Sequence, residues 1–204
     1  ETLTNKTLTA PVINSPTGDF IKIGGTNFTN SLLVGHSTTG TLSSATSNTG
    51  IGIGTLDAIT TADHNVAIGA GAATTLDTSP NNVIIGSQTA NALVGGNGSN
   101  VLIGKSAGYN NVSGAYNVFI GESSGASTSG STNNYNVGIG RRALQNITTG
   151  EYNIALGQSS GDNITTGSGN VVIGKADVSS ATGDDQLSIS DGEDGSVVWL
   201  TGRS

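Results

Sequence analysis

The apolar residues of this chain fall in short clusters at regular intervals, not in long runs. The commonest cluster is Asn-Val-x-Ile-Gly. It occurs as Asn65-Val66-Ala67-Ile68-Gly69 and Asn82-Val83-Ile84-Ile85-Gly86, and it returns at 100–104, 117–121, 136–140, 153–157 and 170–174. Looser copies are Gly50-Ile51-Gly52-Ile53-Gly54 and Leu32-Leu33-Val34-Gly35. The closing glycines stand at 35, 54, 69, 86, 104, 121, 140, 157 and 174, most often 17 residues apart. Such a period marks a stacked repeat. No stretch sustains a 3.6-residue apolar period, so helix is not expected.

Within each phrase the Val and the Ile are two apart and point to one face of a strand. This reading makes them the structural core of the repeat: Val66, Ile68, Val83, Ile85, Val101, Ile103, Val118, Ile120, Val137, Ile139, Ile154, Leu156, Val171 and Ile173. Gly ends the strand at a turn, and the leading Asn bonds nearby backbone in the turn before it. The second half of each repeat, as in Asn146-Ile147-Thr148-Thr149-Gly150 and Asn163-Ile164-Thr165-Thr166-Gly167, reads as a second short strand and turn. One repeat is then one coil of a parallel β-solenoid or β-roll. The middle position of the phrase faces away from Val and Ile. It is Ala67, Ile84, Leu102, Phe119, Gly138, Ala155 and Val172, without a charge. A strand apolar on both faces is buried on both, and other copies of the chain around an axis would supply the second surface.

Composition narrows the picture. Hydrophobic residues are 34%, aromatics 4% and charged residues 10%, with 32 Gly. Alone, such a composition points to disorder, but stacked repeats build a continuous core from small contributions. The net charge of −7 argues against sequence-independent nucleic-acid binding. There is no cysteine, hence no disulfide framework or thiolate metal site. No apolar run reaches the length of a membrane span. The absence of a leading Met makes the chain look like a piece of something longer.

Two stretches and the repeat itself carry resemblances. Leu3-Thr4-Asn5-Lys6-Thr7-Leu8-Thr9-Ala10-Pro11-Val12-Ile13-Asn14 resembles a segment of bacteriophage tail fibres. The array is similar to the head repeats of trimeric autotransporter adhesins, whose three chains form a parallel β-roll, although those repeats are a few residues shorter. The ending, with Asp184, Asp185, Asp191, Glu193 and Asp194 before Val197-Val198-Trp199-Leu200, resembles the segment preceding a self-cleaving, endosialidase-type chaperone domain of phage fibres. The end at Ser204 would fit such a cut or a fragment boundary. These resemblances imply a homotrimer with an extended shaft over 1–30, the solenoid over 31–176 and an acidic cap over 177–204. Within the cap, Gln186–Ile189 and Val197–Leu200 would form a closing hairpin.

Several motifs imitate chemistry. Gly104-Lys105-Ser106-Ala107-Gly108, Gly121-Glu122-Ser123-Ser124-Gly125 and Gly157-Gln158-Ser159-Ser160-Gly161 match the nucleophile elbow, but they recur in register with the repeat, and His36 and His64 lie upstream. The near P-loops at 99–106 and 169–176 lack a following helix. The acidic segment has no EF-hand spacing. Tyr116, Tyr135 and Tyr152 each precede the Asn of a phrase and should line one side of the array. With the basic pair Arg141 and Arg142 they are the candidates for glycan contact. Inter-coil or inter-chain packing is the competing reading of the tyrosines.

The resulting expectation is a non-enzymatic part of a phage tail fibre, without cofactor or metal, attaching the virion to bacterial surface polysaccharide or lipopolysaccharide. Its partners would be two further copies and the rest of the fibre, with neither nucleic acid nor membrane insertion. The turn 123–135 is a place for specific contacts. Alternatives are the passenger of a bacterial trimeric adhesin, a polysaccharide-degrading tailspike with paired carboxylates, and an ice-binding solenoid with rows of Thr.

Overall fold

The computed structural model describes residues 21–35 and 41–203. Residues 1–20 of the expected shaft 1–30, and His36, lie outside them. Every Asn-led phrase forms one strand of three residues; the looser copy at 50–54 is shifted, its strand being Thr49–Ile51 with Gly52, not Gly54, closing it against Gly69. In chain order the strands are β1 (Ile21–Ile23), β2 (Phe28–Thr29), β3 (Leu32–Val34), β4 (Ala45–Thr46), β5 (Thr49–Ile51), β6 (Val66–Ile68), β7 (Val83–Ile85), β8 (Val101–Ile103), β9 (Val118–Ile120), β10 (Val137–Ile139), β11 (Ile154–Leu156), β12 (Val171–Ile173), β13 (Gln186–Ser190) and β14 (Val198–Arg203). Twelve of them form one sheet in sequence order, with β2 and β4 paired apart. From β3 to β13 each rung pairs parallel with the next, so Val66 lies beside Val83 and Val83 beside Val101. Consecutive strands that are parallel neighbours, each joined by one coil, define a parallel β-solenoid. Both ends turn antiparallel: β1 on β3, and β14 on β13. The expected closing hairpin is present, with Gln186–Ser190 as its inner strand.

Apart from the short β2–β4 pair at the start of the solenoid, the expected second strand of the coil does not form. Residues 146–150 and 163–167 are turns and bends. Arg142 and Leu144, at φ of 62° and 51°, are left-handed and prevent extension of the chain just after the strand. The coils remain bonded there all the same, as in Thr148 N–H to Thr165 O at 2.8 Å.

The assignment of faces is also reversed. Ala67, Ile84, Leu102, Phe119, Ala155 and Val172 are fully buried inside the coil. None of the fourteen Val, Ile and Leu residues expected to form the core, from Val66 to Ile173, is buried in the single chain. Val66, Ile68, Val83, Ile85, Val101, Ile103, Val118, Ile120, Val137, Leu156 and Val171 are half-buried, and Ile139, Ile154 and Ile173 are exposed. The reason lies two residues upstream of the middle position. Asn65, Asn82, Asn100, Asn117, Asn136, Asn153 and Asn170 are all fully buried, and strand parity puts Asn and the middle residue on the same face.

The buried asparagines form a ladder along the solenoid. Each side-chain oxygen accepts from the next rung's backbone and side-chain N–H, as Asn136 Oδ1 does from both N–H groups of Asn153 at 3.0 Å. Each Nδ2 also donates to a carbonyl, such as Gly150 O for Asn136 and Gly167 O for Asn153. Ser31 starts the ladder, its Oγ accepting from Asn48 N, and Gln186 ends it on Asn170 Oδ1. Buried amides are tolerated because nearly every lone pair and N–H is matched.

The interior adapts rung by rung. Phe119 is the largest middle residue, and glycines make room for it: a Cβ on Gly138 of the next rung would lie 3.1 Å from the Phe119 ring, and one on Gly125 would overlap it.

Candidate functional site

Three surface features follow from this geometry. The first is the outward sheet face. Its two columns run from β5 to β12 without a charge, and their residues are all Val, Ile or Leu except Thr49. Rungs rise about 4.8 Å each, so the stripe is roughly 35 Å long. A contiguous apolar stripe on that scale marks an interaction surface.

The second is the tyrosine column. The residue before each ladder Asn is left-handed: Ser47, His64, Asn81, Ser99, Tyr116, Tyr135, Tyr152 and Asp185 have φ between 51° and 61°, and Gly169 has 70°. The structure brings the three candidate tyrosines together as one stack. Ring centroids are 4.9 Å apart in both pairs, with interplanar angles of 3° and 1°. All three rings are exposed, Tyr116 at 42%, Tyr135 at 45% and Tyr152 at 59%. Beside them a polar column runs along the solenoid. Ala115 N–H donates to Asn134 Oδ1, Asn134 Nδ2 to Glu151 Oε1 at 2.7 Å, Glu151 N–H to Ser168 Oγ, and Ser168 N–H to Asp184 Oδ1. Arg141 and Arg142 are exposed but lie at the other end of the strand, after Gly140. The structure therefore does not join them to the tyrosines.

The third is the acidic end. Asp191 closes the loop before β14. Its Oδ1 accepts from Glu193, Asp194 and Gly195 N–H and its Oδ2 from Val197 N–H. These bonds, those from Gly195 and Val197 foremost, hold its carboxyl below the usual range, and Ser196 does the same for Asp194. A carboxylate depressed in the fold stabilises it above the ordinary carboxylate pKa of about 3.9 and loses that effect as pH falls through the lower value. The Gly195 and Val197 amides are accordingly expected to be protected from exchange at pH 5 and to lose that protection as the pH falls through the lowered carboxyl pKa, while the Asn ladder amides stay protected. Asp191→Ala should remove the protection at pH 5.

Nearby, a cleft of about 430 Å³ is lined by Asp162, Lys175, Asp177 and Asp194 among others. Burial, and then the Asp162 charge, raise the Asp177 carboxyl above its usual range. Its sign is opposite to that of Asp191: this group favours the fold more below its titration than above it.

The remaining candidates resolve individually. The turn 123–135 accommodates its extra residues by swelling outward at Thr128, Ser129 and Gly130, which are exposed, while Ser127 and Ser131 stay buried. Thr148 and Thr165 donate their hydroxyls to the carbonyls of Thr165 and Ala181, so those hydroxyls are already bonded between coils and not free for a flat hydroxyl row. Ser106, Ser123 and Ser159 of the elbow-like motifs sit at left-handed turn positions, and no helix follows any of them among the described residues. The described residues hold no group of three or more His, Cys, Asp or Glu suited to a metal ion.

Reading the Asn as a local turn residue hid the ladder. The signal that could have exposed it was the recurrence of Asn itself at every rung, since a turn accepts Asp, Ser or Gly as readily. Comparisons with protein-family models, with curated proteins and with solved structures return no match.

Proposed function

We propose that this chain is a non-enzymatic rod module of a bacteriophage tail fibre, wound as a homotrimer, which presents repeated surfaces to bacterial surface polysaccharide. The observation that carries the reading is the uncharged Val, Ile and Leu stripe on the outside of the coil. The solenoid already encloses its own core, so this second apolar face has no partner within the described chain. A repeat surface with one spacing matches another copy of itself rung for rung, and rotation about an axis parallel to the solenoid closes such an assembly. The resemblances at 3–14, in the array and at the acidic end favour three copies and the virion. A stiff rod with several equivalent faces turns weak glycan contacts into avidity.

The experiment is the solution mass by light scattering in native buffer. A mass three times that of the chain is expected. Ile103→Lys with Ile139→Lys, both on the outward stripe, should lower the mass to one chain while the β-rich circular dichroism remains. A single-chain mass for the unaltered protein would overturn the trimer, and an unchanged trimer in the double variant would move the interface elsewhere.

A further inference from the structure

The tyrosine stack stops abruptly. The next position in its column is Gly169, and the one after is Asp185. Tyr152 is more exposed than Tyr116 or Tyr135, and no ring follows it. Beyond its open face is a slot one rung high, about 4.8 Å, where a side chain is missing. At the root of the slot the Asp185 carboxylate occupies the place that a Cβ on Gly169 would take. Asp184 and Glu151 line the adjacent column through Ser168.

The conformation of the column is a second, independent observation. Left-handed φ is inexpensive for Gly, Asn and Asp but strained for a bulky aromatic residue. Other rungs use Ser, His, Asn, Gly and Asp at the same φ. Three consecutive tyrosines are therefore placed where the backbone disfavours them. Stacking between neighbouring rings accounts for the ring faces within the stack but not for the outer face of Tyr152 over Gly169.

We infer that the slot between Tyr152 and Asp185 binds one pyranose ring of a neutral or amino-substituted polysaccharide and excludes acidic sugars. A flat, largely apolar sugar face would lie on the Tyr152 ring, continuing the stack in place of a fourth aromatic. Its hydroxyl or ammonium groups would donate to Asp185, with Asp184 and Glu151 setting a negative field. An ammonium gains further from the ring quadrupole. A uronate or sialate would meet three carboxylates and no cation in the slot. This assignment rests on the polysaccharide-binding reading but not on the number of chains.

The test uses the whole chain with three hexasaccharides: maltohexaose, glucosamine hexamer and a galacturonate hexamer. Chemical shifts of the Tyr152 ring and the Gly169 amide are followed by NMR. The first two sugars should shift both groups, and galacturonate should not. Gly169→Tyr fills the slot: three residues of the column already carry Tyr at this φ, and the new Cβ would displace only the Asp185 carboxylate, the end of a side chain. This variant should keep its circular dichroism and solution mass and weaken binding at least about tenfold. Asp185→Asn, which preserves shape, should narrow the difference between glucosamine and galacturonate hexamers. The inference is overturned if galacturonate binds as well as the others, if Gly169→Tyr binds unchanged, or if that variant alters the mass instead, which would make the column a contact between chains. Binding that shifts only the 128–130 turn would sink the slot and leave the attachment reading standing. No binding by any sugar would remove both.

Discussion

Gly121→Ala is expected to lower stability by about 3–5 kcal/mol, out of proportion to the single methyl group added. Gly121 has φ of 131°, a region that only glycine occupies readily. A Cβ there would lie 2.5 Å from Gly140 O and 3.0 Å from Arg141 N, both backbone atoms of the next coil. Neither can move aside without breaking the bond from Gly140 N–H to Ile120 O, now 2.8 Å. The same pattern holds at Gly69, Gly86, Gly104, Gly140 and Gly157, so the closing glycines form a column where two coils touch through bare backbone. Gly192→Ala is the control. Nothing lies within 4 Å of its Cβ position and its φ is not positive. Urea unfolding of the two variants should show a large fall in midpoint for Gly121→Ala and almost none for Gly192→Ala. Equal midpoints would mean that the coils separate at the glycine column at little cost.

Breaking the amide ladder should be comparably severe. In Asn136→Ala, Asn153 loses the acceptor for its buried backbone N–H, and the carbonyls of Asn134 and Gly150 lose a donor. Unsatisfied buried groups cost about 1–3 kcal/mol each, so a loss of about 2–5 kcal/mol is expected once partial relaxation is allowed for. Asn136→Asp is the sharper test because it conserves shape. Its second oxygen would face the carbonyls of Asn134 and Gly150 and the oxygen of Asn117, all acceptors. A buried carboxylate among acceptors raises its own pKa, so this variant should be unfolded or strongly weakened at pH 7 and partly recover as the pH falls and the carboxyl gains a proton. Thermal melts at pH 7 and pH 4 would show the crossover. Equal melting of Asn136→Asp and the unaltered chain at pH 7 would mean that water enters the ladder.

Both expectations concern columns and not single residues. The array holds because each side chain meets its own equivalent one rung away, so a defect has nowhere to be absorbed except in the two neighbouring coils. The Tyr stack, the Asn ladder and the glycine column are three versions of this arrangement, with aromatic faces, amides and bare backbone as the repeating element.

The amino-acid sequence by itself determined the period, the strand at each phrase, the parallel register and the absence of helix. Each follows from local rules: β-branched residues favour extension, glycine ends it, and equal spacing makes equivalent residues neighbours. That spacing also put Tyr116, Tyr135 and Tyr152 in line and separated them from Arg141 and Arg142 by a strand. Only the tertiary structure decided which face is inside. The phrase is apolar on both faces, so alternation alone could not choose between Val with Ile and the middle residue. The choice belongs to Asn, whose amide is stable in the interior only because the coils above and below complete its hydrogen bonds. The second half of the coil was undecided for a related reason: Ile-Thr-Thr is β-prone, but left-handed residues earlier in the same turn bend it away from extension. The slot over Gly169 was equally hidden, because its floor, wall and acceptor come from three different coils.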